Sequence, residues 1–327
     1  MKKILFRADA APHIGIGDLV SLINISKYFD KDYEKYFIIK DYKAGVNLIK
    51  KQNIKNCSVI DSKISIEDEV KYINNFIVQN NIDILFLEIT ETKLSNYVGL
   101  SKNIKKVAVN FDGYILDDLD LVIDWDVEAY RFFDTLKYPN TKFLLGAKYV
   151  ILPKEFYSSK VVSRQNRVDY PKILIAMGGA DEFDFTSKIV QSIISLDIKV
   201  ELNIIIGSGY EHKDNLENIL NKSNLKYNIK QNIINMLDEY LNSDIGIGAG
   251  GLISSEMVAS KLPSVLIATY EHQIARCKYF DTQGWAKYLG YRRFDNKKLK
   301  EAILNPVRLV TNNIFDTQRI VDEIKKL

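Results

Sequence analysis

Short runs of β-branched and other apolar residues alternate, along nearly the whole chain, with segments whose apolar residues recur at helical spacing. This is the pattern of parallel sheets covered by helices. It predicts strands in KILFR, YFIIK, CSVID, ILFLEI, KKVAVNF and LVIDW, with helices between most of them. Residues 153–171, PKEFYSSKVVSRQNRVDYP, break the pattern with two prolines, polar residues and weak periodicity, which suits an interdomain linker. Alternation resumes in KILIAMGG, VELNIIIGSG, SDIGIGAGG and PSVLIAT, and FDTQRIVDEIKKL spaces its apolar residues for a closing helix. The expected architecture is α/β, with Rossmann-like domains at 1–152 and 172–311 and a helix at 312–327 packing back on the first domain. Glycine-rich turns after strands in both halves place a ligand in a central cleft between the domains, at the carboxyl ends of the strands.

Composition narrows the classes without choosing one. In 327 residues, 46% are hydrophobic and 27% charged, the balance of a folded protein rather than a disordered or fibrous one. The net charge of +3 comes from lysines and arginines scattered among acids, so no basic stripe points to nucleic acid. Cys57 and Cys277 lack the spacing of a zinc site or a disulfide framework, and a reducing cytoplasm is the expected location. No apolar run approaches the roughly 18 residues of a membrane span, and MKKILFRADA turns polar too soon for a signal peptide.

The strongest local signal is SDIGIGAGGLISSEMVASKLPSVLIA, residues 243–268. An apolar strand ends in Gly248, Ala249, Gly250 and Gly251, and a helix is expected to begin close to Ser254 and Ser255, with Glu256 in its first turn. Small residues let a ligand approach the backbone, and the first helical N–H groups can receive a diphosphate. The plain alternative is a tight turn followed by an acid that complements the helix dipole. A second glycine turn, HIGIGD at residues 13–18, ends in an aspartate that would repel phosphate.

The motifs NMLDEYLNSDIGIGAGGLISSEM, EHQ and WAKYLG, with ILFRADAAPHIGIGD at the start, FLLGAKYVILPKEF before the linker and IAMGGAD after it, occur in order over nearly the whole chain. They resemble the UDP-sugar hydrolase family of pseudaminic acid biosynthesis, relatives of glycosyltransferases with the two-domain GT-B fold. The resemblance implies that Gly250 and Gly251 face the diphosphate, that Glu256 accepts hydrogen bonds from the ribose hydroxyls, and that backbone near Ile233 reads the uracil. His272 and Gln273 would contact phosphate or sugar, and Gly178 and Gly179 would border the cleft. Taken singly, a histidine or glutamine at a helix start also reads as a cap or a surface residue.

The departures from the family gather at the sugar side. Where the family has Gly-x-Gly-His, this chain has Gly15-Ile16-Gly17-Asp18, so the histidine expected to activate water is absent. Ser21 stands for a family arginine, Glu88 to Thr90 for Asp-His-Tyr, and Pro153 for the arginine of Arg-x-Glu-Phe. With the diphosphate held in the second domain, Asp18 is free to face the anomeric carbon and accept a proton from water or a hydroxyl. His13 is the rival base, and a helix N-cap is the structural alternative for Asp18. Asp9, matching the family's Arg-x-Asp, and Asp112 in NFDGY border the cleft in the family pattern, and either could cap a turn. Asp124 to Asp126, DWD, is a short and common motif with no histidine or cysteine cluster beside it, so no metal and no cofactor are expected.

The expected activity is inverting hydrolysis of a UDP-deoxy-acetamido sugar. The alternative is an inverting GT-B glycosyltransferase in which Asp18 deprotonates a glycan or protein acceptor, and a third reading is a nucleotide-sugar-binding protein without turnover.

Overall fold

The computed structural model describes residues 1–327 apart from 12, 110–112, 114, 159–160, 162–169, 208, 232, 234 and 310–313. It divides into two units, Met1–Lys154 with Phe315–Leu327, and Glu155–Ile314. Residues 159–160 and 162–169 of the expected linker, the expected boundary at 311–312, and Asp112 lie outside the described residues.

The first unit is built on strands β1 (Lys2–Ala8), β2 (Tyr33–Lys40), β3 (Cys57–Ile60), β4 (Ile84–Glu88), β5 (Lys105–Val109), β6 (Leu121–Asp124) and β7 (Lys142–Leu145). They pair in the order β3-β2-β1-β4-β5-β6-β7, and every pairing is parallel. Helices α1 (Gly17–Ser26), α2 (Lys43–Lys51) and α3 (Ile66–Asn80) follow β1, β2 and β3. Alternation along β1 shows why both faces need covering. Ile4, Phe6 and Ala8 pack with Leu19 and Leu22 of α1, whereas Leu5 packs with Val70, Ile73 and Ile77 of α3. The C-terminal helix, Thr317–Lys325, belongs to this unit: Ile320, Val321 and Ile324 enter the α1-side core. Thr317 locks it there, its hydroxyl accepting from Leu152 N–H (3.1 Å) and donating to the Val150 carbonyl (3.0 Å).

The second unit contains β8 (Lys172–Ala176), β9 (Glu201–Ile206), β10 (Lys226–Gln231), β11 (Ile245–Ala249), β12 (Ser264–Ala268) and β13 (Lys287–Tyr291) in the order β10-β9-β8-β11-β12-β13. These pairings are also all parallel. Its helices are α4 (Phe185–Ser195), α5 (Lys213–Asn221), α6 (Met236–Leu241), α7 (Leu252–Ala259), α8 (Ile274–Thr282) and α9 (Asn296–Leu304). Gly246 and Gly248 let α7 lie close on β11, since a Cβ at either would sit 2.5 Å and 2.6 Å from Met257 side-chain atoms.

Three strands absent from the sequence expectation, β7, β10 and β13, are all at sheet edges. Edge strands need no continuous apolar run, and β10, KYNIKQ, has no buried residue. In each sheet the order reverses once, between β1 and β4 and between β8 and β11. At such a reversal the loops leaving the two strands part to opposite faces and open a crevice beyond the carboxyl ends. No helix among the described residues is long and apolar enough to cross a membrane.

Candidate functional site

At the β1/β4 reversal, Asp18 is the second residue of α1 rather than its cap. Ile16 holds the cap position and makes no side-chain hydrogen bond there. The Asp18 carboxylate instead accepts from the Thr90 hydroxyl at 2.6 Å, tying the first turn of α1 to the chain that leaves β4. Burial pushes the Asp18 pKa up to about 6, an effect that the Thr90 hydrogen bond only partly offsets and the charge of Asp9 reinforces. Glu88, the last residue of β4, is 1% exposed, and its Oε2 has no hydrogen-bond partner. Burial and then the charge of Asp18 hold its pKa well above the usual carboxylate range, opposed by the Ser21 hydroxyl. Two carboxyls of different environment therefore stand at this reversal, both shifted upward by burial, with Asp18 able to exchange its proton near neutral pH.

The rest of the β1 loop is fixed by charge. Arg7 is fully buried and pairs at 2.7 Å with both Asp9 and Glu69, while Tyr97 donates to Glu69 at 2.8 Å. Asp9 also accepts from Lys40 N–H at 2.7 Å, so both its oxygens are engaged in holding the loop. Glu91 accepts from Lys40 Nζ and the Tyr42 hydroxyl, each at 2.7 Å, and lies 3.2 Å from His13 Nε2. Burial works against its charge, but these three partners outweigh it and bring its pKa down to about 2. His13 is exposed and meets the Tyr42 ring edge-on at 5.5 Å. Thus the two candidate bases are anchored by consecutive residues, Asp18 by Thr90 and His13 by Glu91. Gly15 is required by its φ of 81° where Ala11 and Gly15 exchange two backbone hydrogen bonds, whereas Gly17 simply opens α1.

At the β8/β11 reversal, α7 begins earlier than the sequence suggests. Gly251 is its N-cap, Ser254 and Ser255 lie inside it, and Glu256 falls beyond the first turn. No side chain caps the helix. Gly251 supplies the turn by its carbonyl, which accepts from the Ser254 hydroxyl at 2.6 Å. A carboxylate one turn in has a weaker hold on the dipole, so Glu256 is not explained as dipole complement. It accepts from the Tyr240 hydroxyl at 2.7 Å, and burial pushes its pKa up to about 7 despite that bond.

The two glycines of the turn differ. A Cβ on Gly250 would collide with Cys277 Sγ and come within 2.9 Å of Gln273 Cβ, so its smallness serves the packing of α8. Gly251 is open, with Gln273 Nε2, 3.8 Å from where a Cβ would be, as its nearest neighbour. Gln273 occupies the N-cap position of α8 without a side-chain capping bond, and it is no surface residue: it is 7% exposed, and its Oε1 accepts from Thr269 N–H (2.9 Å) and the Thr269 hydroxyl (3.1 Å). That fixes the amide and leaves Nε2 beside the N-terminus of α7. His272 is exposed and stacks on Tyr270 at 5.8 Å. Gly178 has φ 101° and the Gly179 carbonyl accepts from Gly209 N–H at 3.0 Å, joining the loops after β8 and β9. Ile233 is half-buried between β10 and α6.

The Asp124–Asp126 pair is spent on its own turn, Asp124 accepting from Asp126 N–H (2.7 Å) and Asp126 from Glu128 N–H (2.8 Å). Among the described residues no group of three or more His, Cys, Asp or Glu is arranged to hold a metal ion. Sequence reasoning passed over Glu88 and Thr90 as site residues, and Glu91 and Tyr240 altogether. Glu88 had a readable signal, a carboxylate closing the apolar strand ILFLE. Tyr240 had none, because its partner is sixteen residues away.

Residues 173–314 match the family described as Glycosyltransferase family 28 C-terminal domain. The chain is 26% identical over 320 residues to the uncharacterised protein MJ1062 of Methanocaldococcus jannaschii, covering 94% of this chain and 60% of that protein's length. Among solved structures it is similar to MurG of Acinetobacter baumannii, with a TM-score of 0.68 at 16% identity over 100% of both chains. It is similar to the S. aureus MnaA solved with UDP, with a TM-score of 0.66 at 12% identity over 99% of this chain and 96% of that one. The UDP-GlcNAc 2-epimerase of Methanocaldococcus jannaschii gives 0.64 at 15% identity over 99% and 100%. Two parallel-sheet α/β units, the second carrying the matched domain, give the chain the two-domain fold of GT-B structures such as MurG.

Proposed function

We propose that this chain hydrolyses the anomeric bond of a UDP-linked deoxy-acetamido sugar with inversion, in a pathway to pseudaminic-type nonulosonic acids. Asp18 carries the reading: a carboxylate held by Thr90 at a sheet reversal, with a pKa of about 6, is ionised at neutral pH and basic enough to take a proton. In the proposed step the water oxygen bonds to the anomeric carbon as a proton passes to Asp18. The bond from that carbon to the diphosphate oxygen breaks, and its electron pair leaves with UDP. The second unit holds the nucleotide, with the open Gly251 turn and the Gln273 amide at the diphosphate and Glu256 at the ribose. The ordered sequence motifs support UDP and the sugar class.

A second reading, transfer to an acceptor hydroxyl with Asp18 as its base, is favoured by the match of residues 173–314 to a glycosyltransferase domain. Incubation with a panel of UDP-sugars separates the two. Free sugar and UDP formed without acceptor support hydrolysis, UDP release that requires an acceptor supports transfer, and tight binding without release under either condition overturns both.

A further inference from the structure

Three loops of the second unit converge on one cation. Arg292, just past β13, adopts a left-handed backbone with φ 50°, a conformation uncommon for a residue with a side chain. Its N–H donates to the Ala268 carbonyl at 2.9 Å and its Nε to the Thr269 carbonyl at 3.1 Å, which draws the side chain back over the end of β12. The guanidinium carbon lies 4.0 Å from the ring centroid of Phe183, on the loop after β8. Phe183 in turn meets Tyr270 edge-on at 5.8 Å, and the Tyr270 hydroxyl donates to Glu182 at 3.0 Å. Phe183 lies on the loop after β8 and Thr269 follows β12, so the guanidinium bridges the loops that leave the two strands flanking β11.

Thr269 links this cation to the glycine turn. Its carbonyl takes the Arg292 Nε, while its N–H and hydroxyl hold the Gln273 oxygen whose amide partner stands beside Gly251. Among the described residues, no hydrogen bond or ion pair engages the two Nη groups of Arg292. Backbone, Nε and one face of the guanidinium are thus fixed, and the remaining edge presents the planar fork that suits an oxyanion.

We infer that Arg292 is a specificity-determining residue that selects a nucleoside diphosphate over the bare nucleoside, its Nη edge contacting phosphate oxygens bound at the α7 N-terminus. This rests on the reading that UDP occupies that turn. Glu182, held beside the same aromatic cluster, opposes the bound anion and moderates the affinity.

The test is calorimetry of the full chain with UDP and with uridine, each at low and high salt. Arg292→Gln is expected to weaken UDP by about 10- to 100-fold, to leave uridine unchanged and to flatten the salt dependence of UDP binding. Arg292→Lys, which keeps the charge but not the fork, is expected to restore only part of the loss. Glu182→Gln is expected to tighten UDP by about threefold without affecting uridine. Equal UDP affinity in the wild type and Arg292→Gln overturns the inference, as does an equal loss for UDP and uridine. A wild type that binds no UDP removes the nucleotide reading itself, and that result is obtained before any variant is made.

Discussion

The two sheet reversals have the same topology and opposite chemistry. At the ends of β1 and β4 stand Glu88, Thr90 and Glu91, and the first turn of the following helix carries Asp18. Beyond β8 and β11 the loops carry glycines, and the helix opens on a bare backbone N-cap with an amide beside it. The acids at the first disfavour a phosphate, and the bare helix start at the second suits one. The aspartate that closes HIGIGD is therefore consistent with a division of labour, in which one unit supplies a proton acceptor and the other holds the anion. Where the two glycine turns look alike in the sequence, the helix starts after them are electrostatically inverted.

The largest expected effect that tests this contrast is on Asp18. Asp18→Asn keeps the Thr90 contact within reach but cannot take a proton, and turnover is expected to fall by about two to four decades with UDP affinity unchanged. Wild-type activity should also rise as pH increases through about 6, because Asp18 must be ionised to act as base. Turnover at the wild-type level in Asp18→Asn would transfer the role to His13, for which His13→Ala is the companion variant.

At the proposed nucleotide site, Glu256→Ala would remove a charge-assisted partner for the ribose hydroxyls and is expected to weaken UDP by about one to two decades. Calorimetry showing unchanged UDP affinity would remove Glu256 from the site and leave it as the buried partner of Tyr240. The glycine turn offers a sharper cut. Gly250→Ala forces a methyl against Cys277 and Gln273, with an expected cost of about 1–3 kcal/mol in stability. Gly251→Ala has room for its methyl, so it is expected to lose UDP affinity with a stability change below about 1 kcal/mol. Denaturant melts and UDP titrations on both variants show whether packing and ligand contact divide between them in this way.

A last effect, read in stability alone, concerns Glu88. Burial raises its folded-state pKa above the ordinary 4.5, so the stability that comes with its bound proton is complete below pH 4.5 and is lost as pH rises toward the folded-state value. Gln mimics the protonated form. Glu88→Gln is expected to gain on the wild type by up to about 1.4 kcal/mol for each pH unit across that window. Urea melts at pH 5 and 7 with the same gap at both would show that Glu88 binds no extra proton in the folded state.

Much of this molecule was legible along the chain. Continuous apolar runs between helically spaced segments defined the central strands, because strands buried on both faces read as near-continuous hydrophobic runs. The glycine turns and the acid at position 18 were equally visible. Edge strands such as KYNIKQ were not, since the partner on one side, rather than their own hydrophobicity, makes them strands. The first turn of α7 was misplaced by two or three residues because serines usually begin helices, and here a glycine carbonyl does.

What the sequence by itself determined is the class of fold, the order of its motifs and the residue types available at each strand end, all of which depend on local spacing. Only the tertiary structure decided what those residues do electrostatically. Asp18 meets Thr90 across 72 positions, Arg7 meets Glu69 across 62, and Glu256 meets Tyr240 across 16. A carboxylate's pKa depends on how much water the fold removes and which charges it brings near, and neither quantity is carried by neighbours in the chain. The same separation distinguishes Gly250 from Gly251: adjacent in sequence and identical in kind, they differ only because α8 packs against one and leaves the other open.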